Sequence, residues 1–381
     1  MRPEAGAAAR TIVDAPAATG TTLADIDTPA LLVDLDALEA NIATVHARIL
    51  GAGLAVRAHG KAHKTPAIAL RQIAAGARGL CCQKVSEAEV FAAAGVADIL
   101  VTNQVVGMAK ARRAARLAGR TRLAVCADHP LPVAQLAEAA REAGTTVGVL
   151  VEVDVGHGRC GVTTVAQALA VAEAVRAGGP QLVFGGIHAY RGSAQHLRDP
   201  EARAAAVAAS VATVRQYRAA LDSAGFACAT ITGGGTGTYP LESDSGLYTE
   251  VQPGSYVLFD ADYAANRPAP GMAPLRQALH GWCTVISVRP GQAVLDGGLK
   301  AFAVDSGLPA IVHPGWTTKG LSDEHTVVVA GEGAAPLAVG DKVRLVPGHC
   351  DPTVNLHDWL LAVRGGRVEE VWPVAARGHL L

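Results

Sequence analysis

At 381 residues, half of them hydrophobic, the chain is long for one core and ample for two. A formal net charge of −1 and the absence of any long basic block exclude a polyanion-binding surface, so nucleic acid is not an expected partner. Seven cysteines, odd in number and without a CxxC pair, suit a reduced, cytoplasmic protein. No apolar run reaches the roughly 18 residues of a membrane span.

Residues 1–26 read as a leader, partly ordered near Thr11–Val13. Arg2, Glu4, Arg10 and Asp14, with no long apolar stretch, do not make a secretory signal. From Pro29 strands and helices alternate. Leu31–Val33 is a short apolar strand, and Leu38, Ile42, Val45 and Ile49 give a helix over 35–50. Leu54–Arg57 is a second strand, followed by a helix with Pro66 in its first turn. Gly79–Cys82 is a third, and Ser86 is placed to cap a helix over 87–94. The rhythm continues at Asp98–Thr102, Thr121–Cys126, Val147–Val153, Leu182–Ala189 and Ala229–Thr232.

Counted from Leu31, about eight strand-helix units precede residue 260. Continuous apolar strands alternating with helices predict a parallel sheet, and eight units predict a closed (β/α)₈ barrel over residues 27–265. Beyond a Pro/Gly-marked linker (Pro268, Pro270, Gly271, Pro274), residues 266–381 read as an antiparallel β-domain without helices.

In such a barrel the chemistry lies just past the strand ends. Lys61 follows the second strand among Arg57, His59, His63 and Lys64. Neighbouring cations lower a lysine's pKa, as imine formation requires; the plainer reading is a surface lysine, and Lys64 competes for the role. Thr232-Gly233-Gly234-Gly235-Thr236 is either a phosphate cradle or a turn. Arg159 either donates to a ring nitrogen or carboxylate, or pairs with Glu152 or Asp154. Tyr190 either meets a cofactor or seals the barrel top. His349 and Asp351, two apart on a segment expected to be extended, point one way and suit a divalent cation, with Cys350 turned aside.

The segments Thr28–Leu31, His59–Lys64, Gln83–Glu87, Glu152–Gly161, Ala189-Tyr190, Thr232–Gly237 and His349–Leu356 together resemble the D-threonine aldolase and D-serine dehydratase group of alanine-racemase-like, fold-type III enzymes. The resemblance runs from about Asp27 to the C-terminus. It implies that Lys61 bonds to pyridoxal 5'-phosphate and that Arg159 contacts its ring nitrogen. Tyr190 would lie near it, and the glycine loop would hold its phosphate. His349 and Asp351 would hold a divalent metal, Mn²⁺ first, with Mg²⁺, Co²⁺ or Zn²⁺ as alternatives. A homodimer is implied as well.

The His-x-Asp spacing resembles the aldolases, where the dehydratases show His-x-Cys. Ala58 and Gly60 depart from the group's usual proline and larger residue. The implied reaction is retro-aldol cleavage of D-threonine and other D-β-hydroxy amino acids, with His63, His196 or a metal-bound water as base. The alternatives are a D-serine or D-3-hydroxyaspartate dehydratase, a 3-hydroxy-D-aspartate aldolase, or a non-catalytic pyridoxal phosphate-binding protein.

Overall fold

The computed structural model describes residues 14–269 and 272–381; the order expected at Thr11–Val13, and Pro270 and Gly271 of the linker, lie outside them. A first strand, β1 (Ala30–Asp34), precedes a closed barrel of eight parallel strands. These are β2 (Ala55–His59), β3 (Gly79–Cys82), β4 (Asp98–Gln104), β5 (Arg122–Ala127), β6 (Val147–Glu152), β7 (Leu182–Ala189), β8 (Thr230–Gly233) and β9 (Glu250–Val251). Helices cover the outside. Three of them, Pro66–Ala74, Pro130–Ala143 and Pro200–Ser223, begin on a proline, whose missing N–H costs nothing in a first turn.

The count of eight stands, but its membership changes. β1 lies within the expected barrel segment, yet it pairs antiparallel with β10 (Leu279–Arg289) and parallel with β16 (Trp359–Arg364). An unbroken apolar run signals burial on both faces; it does not say which sheet supplies the cover. The eighth barrel strand is β9, two residues long and too short for any periodicity. It closes the ring by pairing with β8 and β2.

The second sheet has nine strands: β1, β10, β11 (Gln292–Leu295), β12 (Ala310–Val312), β13 (Trp316–Leu321), β14 (Thr326–Ala330), β15 (Lys342–Val346), β16 and β17 (Arg367–Pro373). All its pairings are antiparallel except β1 with β16. β12 and β13 were not foreseen. Nor was the helix Cys350–Val354, which interrupts a region expected to hold none. Ser86 is not an N-cap: Lys84 holds that position, and the Ser86 hydroxyl donates to the Leu381 carbonyl. No helix among the described residues is long and apolar enough to cross a membrane.

Candidate active site

The C-terminal ends of the barrel strands open on a cavity of about 280 Å³. Lys61, His157, Arg159, Tyr190, His196, Gly235 and Thr236 all line it. These residues come from four separate strand ends, those of β2, β6, β7 and β8, which converge on one face as expected. The β-domain meets the cavity's lysine: Lys61 Nζ stands 3.2 Å from Asp351 Oδ2.

This pair overturns the sequence argument about the lysine's charge. The Asp351 carboxylate holds the Lys61 ammonium above its ordinary range, outweighing burial. Burial alone would raise the Asp351 carboxyl, but the charges of Lys61 and then His349 hold it well below the usual carboxylate range. Lys64 is not a solvent-facing rival. It is buried, has a left-handed backbone (φ 50°), and donates to Glu87 Oε1 at 2.9 Å.

His63 is fully buried behind the cavity wall. The Thr65 N–H donates to its Nδ1 at 3.1 Å, so Nε2 carries the hydrogen and donates to Gln72 Oε1 at 3.2 Å. Burial pushes its pKa down to about 4. With both nitrogens occupied it braces the Lys61 loop and does not act as the base. His196 reaches the cavity, with Nδ1 2.7 Å from Asp262 Oδ2.

The Asp154 carboxylate accepts the N–H groups of Gly156, His157 and Gly158, which curls the loop that presents Arg159. Arg159 forms no ion pair with Glu152 or Asp154; its guanidinium lies 5.9 Å from the Tyr190 ring centre.

The glycine loop divides. Gly235 and Thr236 face the cavity, whereas Thr232 points into the barrel, donating to Glu250 Oε1 at 2.9 Å and accepting from Gln252 Nε2. Gly233 packs on the Ala189 carbonyl, where a Cβ would come within 2.0 Å. Gly234 (φ +70°) turns the chain over the Glu242 carboxyl, and a Cβ on Gly235 would strike Gln195 Oε1 at 2.6 Å. Gly254 and Ser255, just beyond β9, line the cavity beside them. The sequence reading missed them because it missed β9; Pro253-Gly254 was the available signal.

Glu242 was also missed. It is buried, its Oε1 accepts from the Thr238 hydroxyl, its Oε2 has no partner, and burial pushes its pKa up to about 7. A carboxyl raised in the folded state gives stability at low pH that is lost as pH rises through about 7. Glu242→Gln should therefore raise the melting temperature at pH 8 relative to wild type and leave it nearly unchanged at pH 4.5. An equal shift at both pH values would show that Glu242 does not titrate in the fold.

At the proposed metal pair, His349 is extended but Asp351 lies in the first turn of the Cys350–Val354 helix, so the two do not share an extended segment. Cys350 is not turned aside from Asp351: its thiol donates to Asp351 Oδ1 at 3.3 Å, as does Ser255 Oγ at 3.0 Å. Asp351 Oδ2 is buried without an aligned hydrogen bond, and the Lys61 ammonium stands 3.2 Å from it. His349 Nδ1 sits on Asp305 Oδ2 at 2.7 Å, which leaves Nε2 to serve as a ligand. An imidazole nitrogen and a carboxylate oxygen are donors of the kind a divalent cation takes. A trio, Cys126, Glu152 and His188, converges within 4.8 Å, all buried, with His188 lining the cavity and its Nδ1 3.6 Å from Glu152 Oε1.

A lysine, an arginine and a glycine cradle at a barrel mouth, faced by a β-domain, define the alanine-racemase-like class of enzyme. The model "Alanine racemase, N-terminal domain" matches residues 33–262, and "Putative serine dehydratase domain" matches 278–363. The chain belongs to the alanine racemase N-terminal domain family. It is 46% identical to a D-threonine aldolase of an Arthrobacter species (95% of this chain, 96% of that one). It is 47% identical to a 3-hydroxy-D-aspartate aldolase of Paracoccus denitrificans, over 96% of both. The crystal structure of D-threonine aldolase from Filomicrobium marinum superposes with a TM-score of 0.92 at 45% identity, covering 96% of this chain and all of that one.

Proposed function

We propose that this protein is a pyridoxal phosphate- and divalent metal-dependent aldolase that cleaves D-threonine and related D-β-hydroxy amino acids to glycine and an aldehyde. The observation that carries the reading is the Lys61–Asp351 contact, which brings the barrel's lysine and the β-domain's carboxylate to one point. Pyridoxal phosphate would supply the sink for the electron pair left on Cα as Cα–Cβ breaks. A cation on His349 Nε2 and Asp351 Oδ2 would supply Lewis acidity at the β-oxygen.

The chain's own groups do the rest. Lys61 would hold the cofactor covalently and, once displaced by the substrate amine, return a proton to Cα. Gly235, Thr236, Gly254 and Ser255, which line the cavity, would receive its phosphate, while Arg159 and Tyr190 would fix its ring. His196 Nε2 takes the β-hydroxyl proton. Mn²⁺ is the metal the oxygen-rich donor set favours. A homodimer in a reducing cytoplasm fits the family and the seven unpaired cysteines.

The test is product analysis with D-threonine and D-serine, with and without Mn²⁺. Glycine plus acetaldehyde, dependent on the metal, is expected. An oxo acid plus ammonia from either substrate would make the protein a dehydratase instead.

A further inference from the structure

The turn after β9 does more than close the barrel. Asp260 is fully buried; its Oδ1 accepts from the Tyr263 N–H and its Oδ2 from the Cys350 N–H. The next two backbone N–H groups, of Ala261 and Asp262, donate to the carbonyls of Pro347 and Gly348. One short turn of the barrel chain is thus hydrogen-bonded to three positions that flank His349, namely Pro347, Gly348 and Cys350.

That turn also carries the partner of His196. Asp262 Oδ2 lies 2.7 Å from His196 Nδ1, and Asp262 Oδ1 is held by Arg198. Arg198 in turn donates to Asn266 Oδ1 at 2.7 Å, so the carboxylate cannot swing away freely. The His196 ring rests on Tyr263, with ring centres 4.8 Å apart. Its Nε2 takes no hydrogen bond from the described residues, and the side chain lines the cavity.

We infer that Asp262 is a positioning residue. It fixes His196 as the Nδ1–H tautomer with the Nε2 lone pair in the cavity, and the 260–263 turn registers that lone pair to the His349–Asp351 loop. A carboxylate only accepts hydrogen bonds, so it demands a hydrogen on Nδ1. In the neutral ring Nε2 is then bare and able to accept the substrate's proton. Base and metal ligands come from different domains, and this turn sets their separation. The inference rests on reading His196 as the proton acceptor.

Asp262→Asn keeps the shape and an acceptor for Arg198. Its amide can also present N–H to His196 Nδ1, which favours the Nε2–H tautomer and removes the lone pair from the cavity. In the cofactor-loaded, Mn²⁺-supplied enzyme, kcat for D-threonine should fall at least about tenfold, with KM little changed. The visible cofactor band and Mn²⁺ affinity should persist. Nitrogen-15 spectra of histidine-labelled protein should show His196 as Nδ1–H in wild type and as Nε2–H in the variant. Wild-type protein with His196 as Nε2–H, or a variant with unchanged tautomer and kcat, overturns the inference. The parallel variant His196→Ala separates the two readings. If it retains wild-type kcat, the base assignment fails, and the tautomer of His196 alone decides whether Asp262 positions it.

Discussion

Lys61→Ala should lose the visible absorption of lysine-bound pyridoxal phosphate, and turnover should fall by roughly 10³-fold or more. Covalent anchoring and proton return at Cα are removed together. The site leaves no substitute. Lys64, three residues on, is locked to Glu87 on the far side of a buried turn, and the Ala376 N–H donates to its backbone carbonyl. Borohydride reduction of the holoenzyme followed by peptide mapping should place the pyridoxyl label on Lys61. A label on Lys64 would overturn the assignment and the geometry that supports it.

The second large effect concerns order of assembly. Mn²⁺ should bind the cofactor-loaded chain about tenfold more tightly than the chain stripped of pyridoxal phosphate. In the ligand-free chain the Lys61 ammonium occupies Asp351 Oδ2, the atom a cation needs. Two unit charges at such a distance interact by about 5 kcal/mol at an effective dielectric of ~20. The Lys61 side chain is 41% exposed, so screening removes much of that; roughly a quarter, ~1.4 kcal/mol, is a factor of ten. Drawing Lys61 onto the cofactor releases the carboxylate. By linkage, the metal must strengthen cofactor binding by the same factor.

The signs of the two pKa shifts set the pH window. Asp351 is depressed, so its contribution to folding is lost as pH falls below the ordinary carboxylate value of 3.8; Lys61 is raised, so its contribution is lost as pH climbs past 10.5. Between them the ion pair persists and the coupling should hold. Manganese titration by electron paramagnetic resonance on both forms measures it. Equal affinities would mean that Lys61 and the metal do not share Asp351.

Much of this was readable from residue order, and the failures have physical causes. Strand-helix alternation revealed the barrel because each strand is buried on both faces and each helix carries one apolar stripe. β1 looked like a barrel strand for the same reason, since burial is visible in sequence and pairing is not. β9 was invisible because two residues have no period. At the site, residue type identified Lys61, Arg159 and His349 as candidates, but partners decided roles. His63 and His196 look alike in sequence; one is enclosed by Thr65 and Gln72, the other faces the cavity from Asp262. The charge on Lys61 was misjudged because its strongest neighbour, Asp351, is 290 positions away along the chain.

The placement of β1 has a bearing on how the chain is made. Its neighbours in the sheet, β10 and β16, leave the ribosome only after the whole barrel has been synthesised. At about 5–20 residues per second, the ~250 residues between β1 and β10 take roughly 12–50 s. Through that interval an apolar strand, Ala30–Asp34, has no edge to pair with. The nascent barrel therefore emerges carrying an adhesive tether. Overproduction should lead to inclusion bodies more readily for fragments that end before Leu279 than for the entire polypeptide.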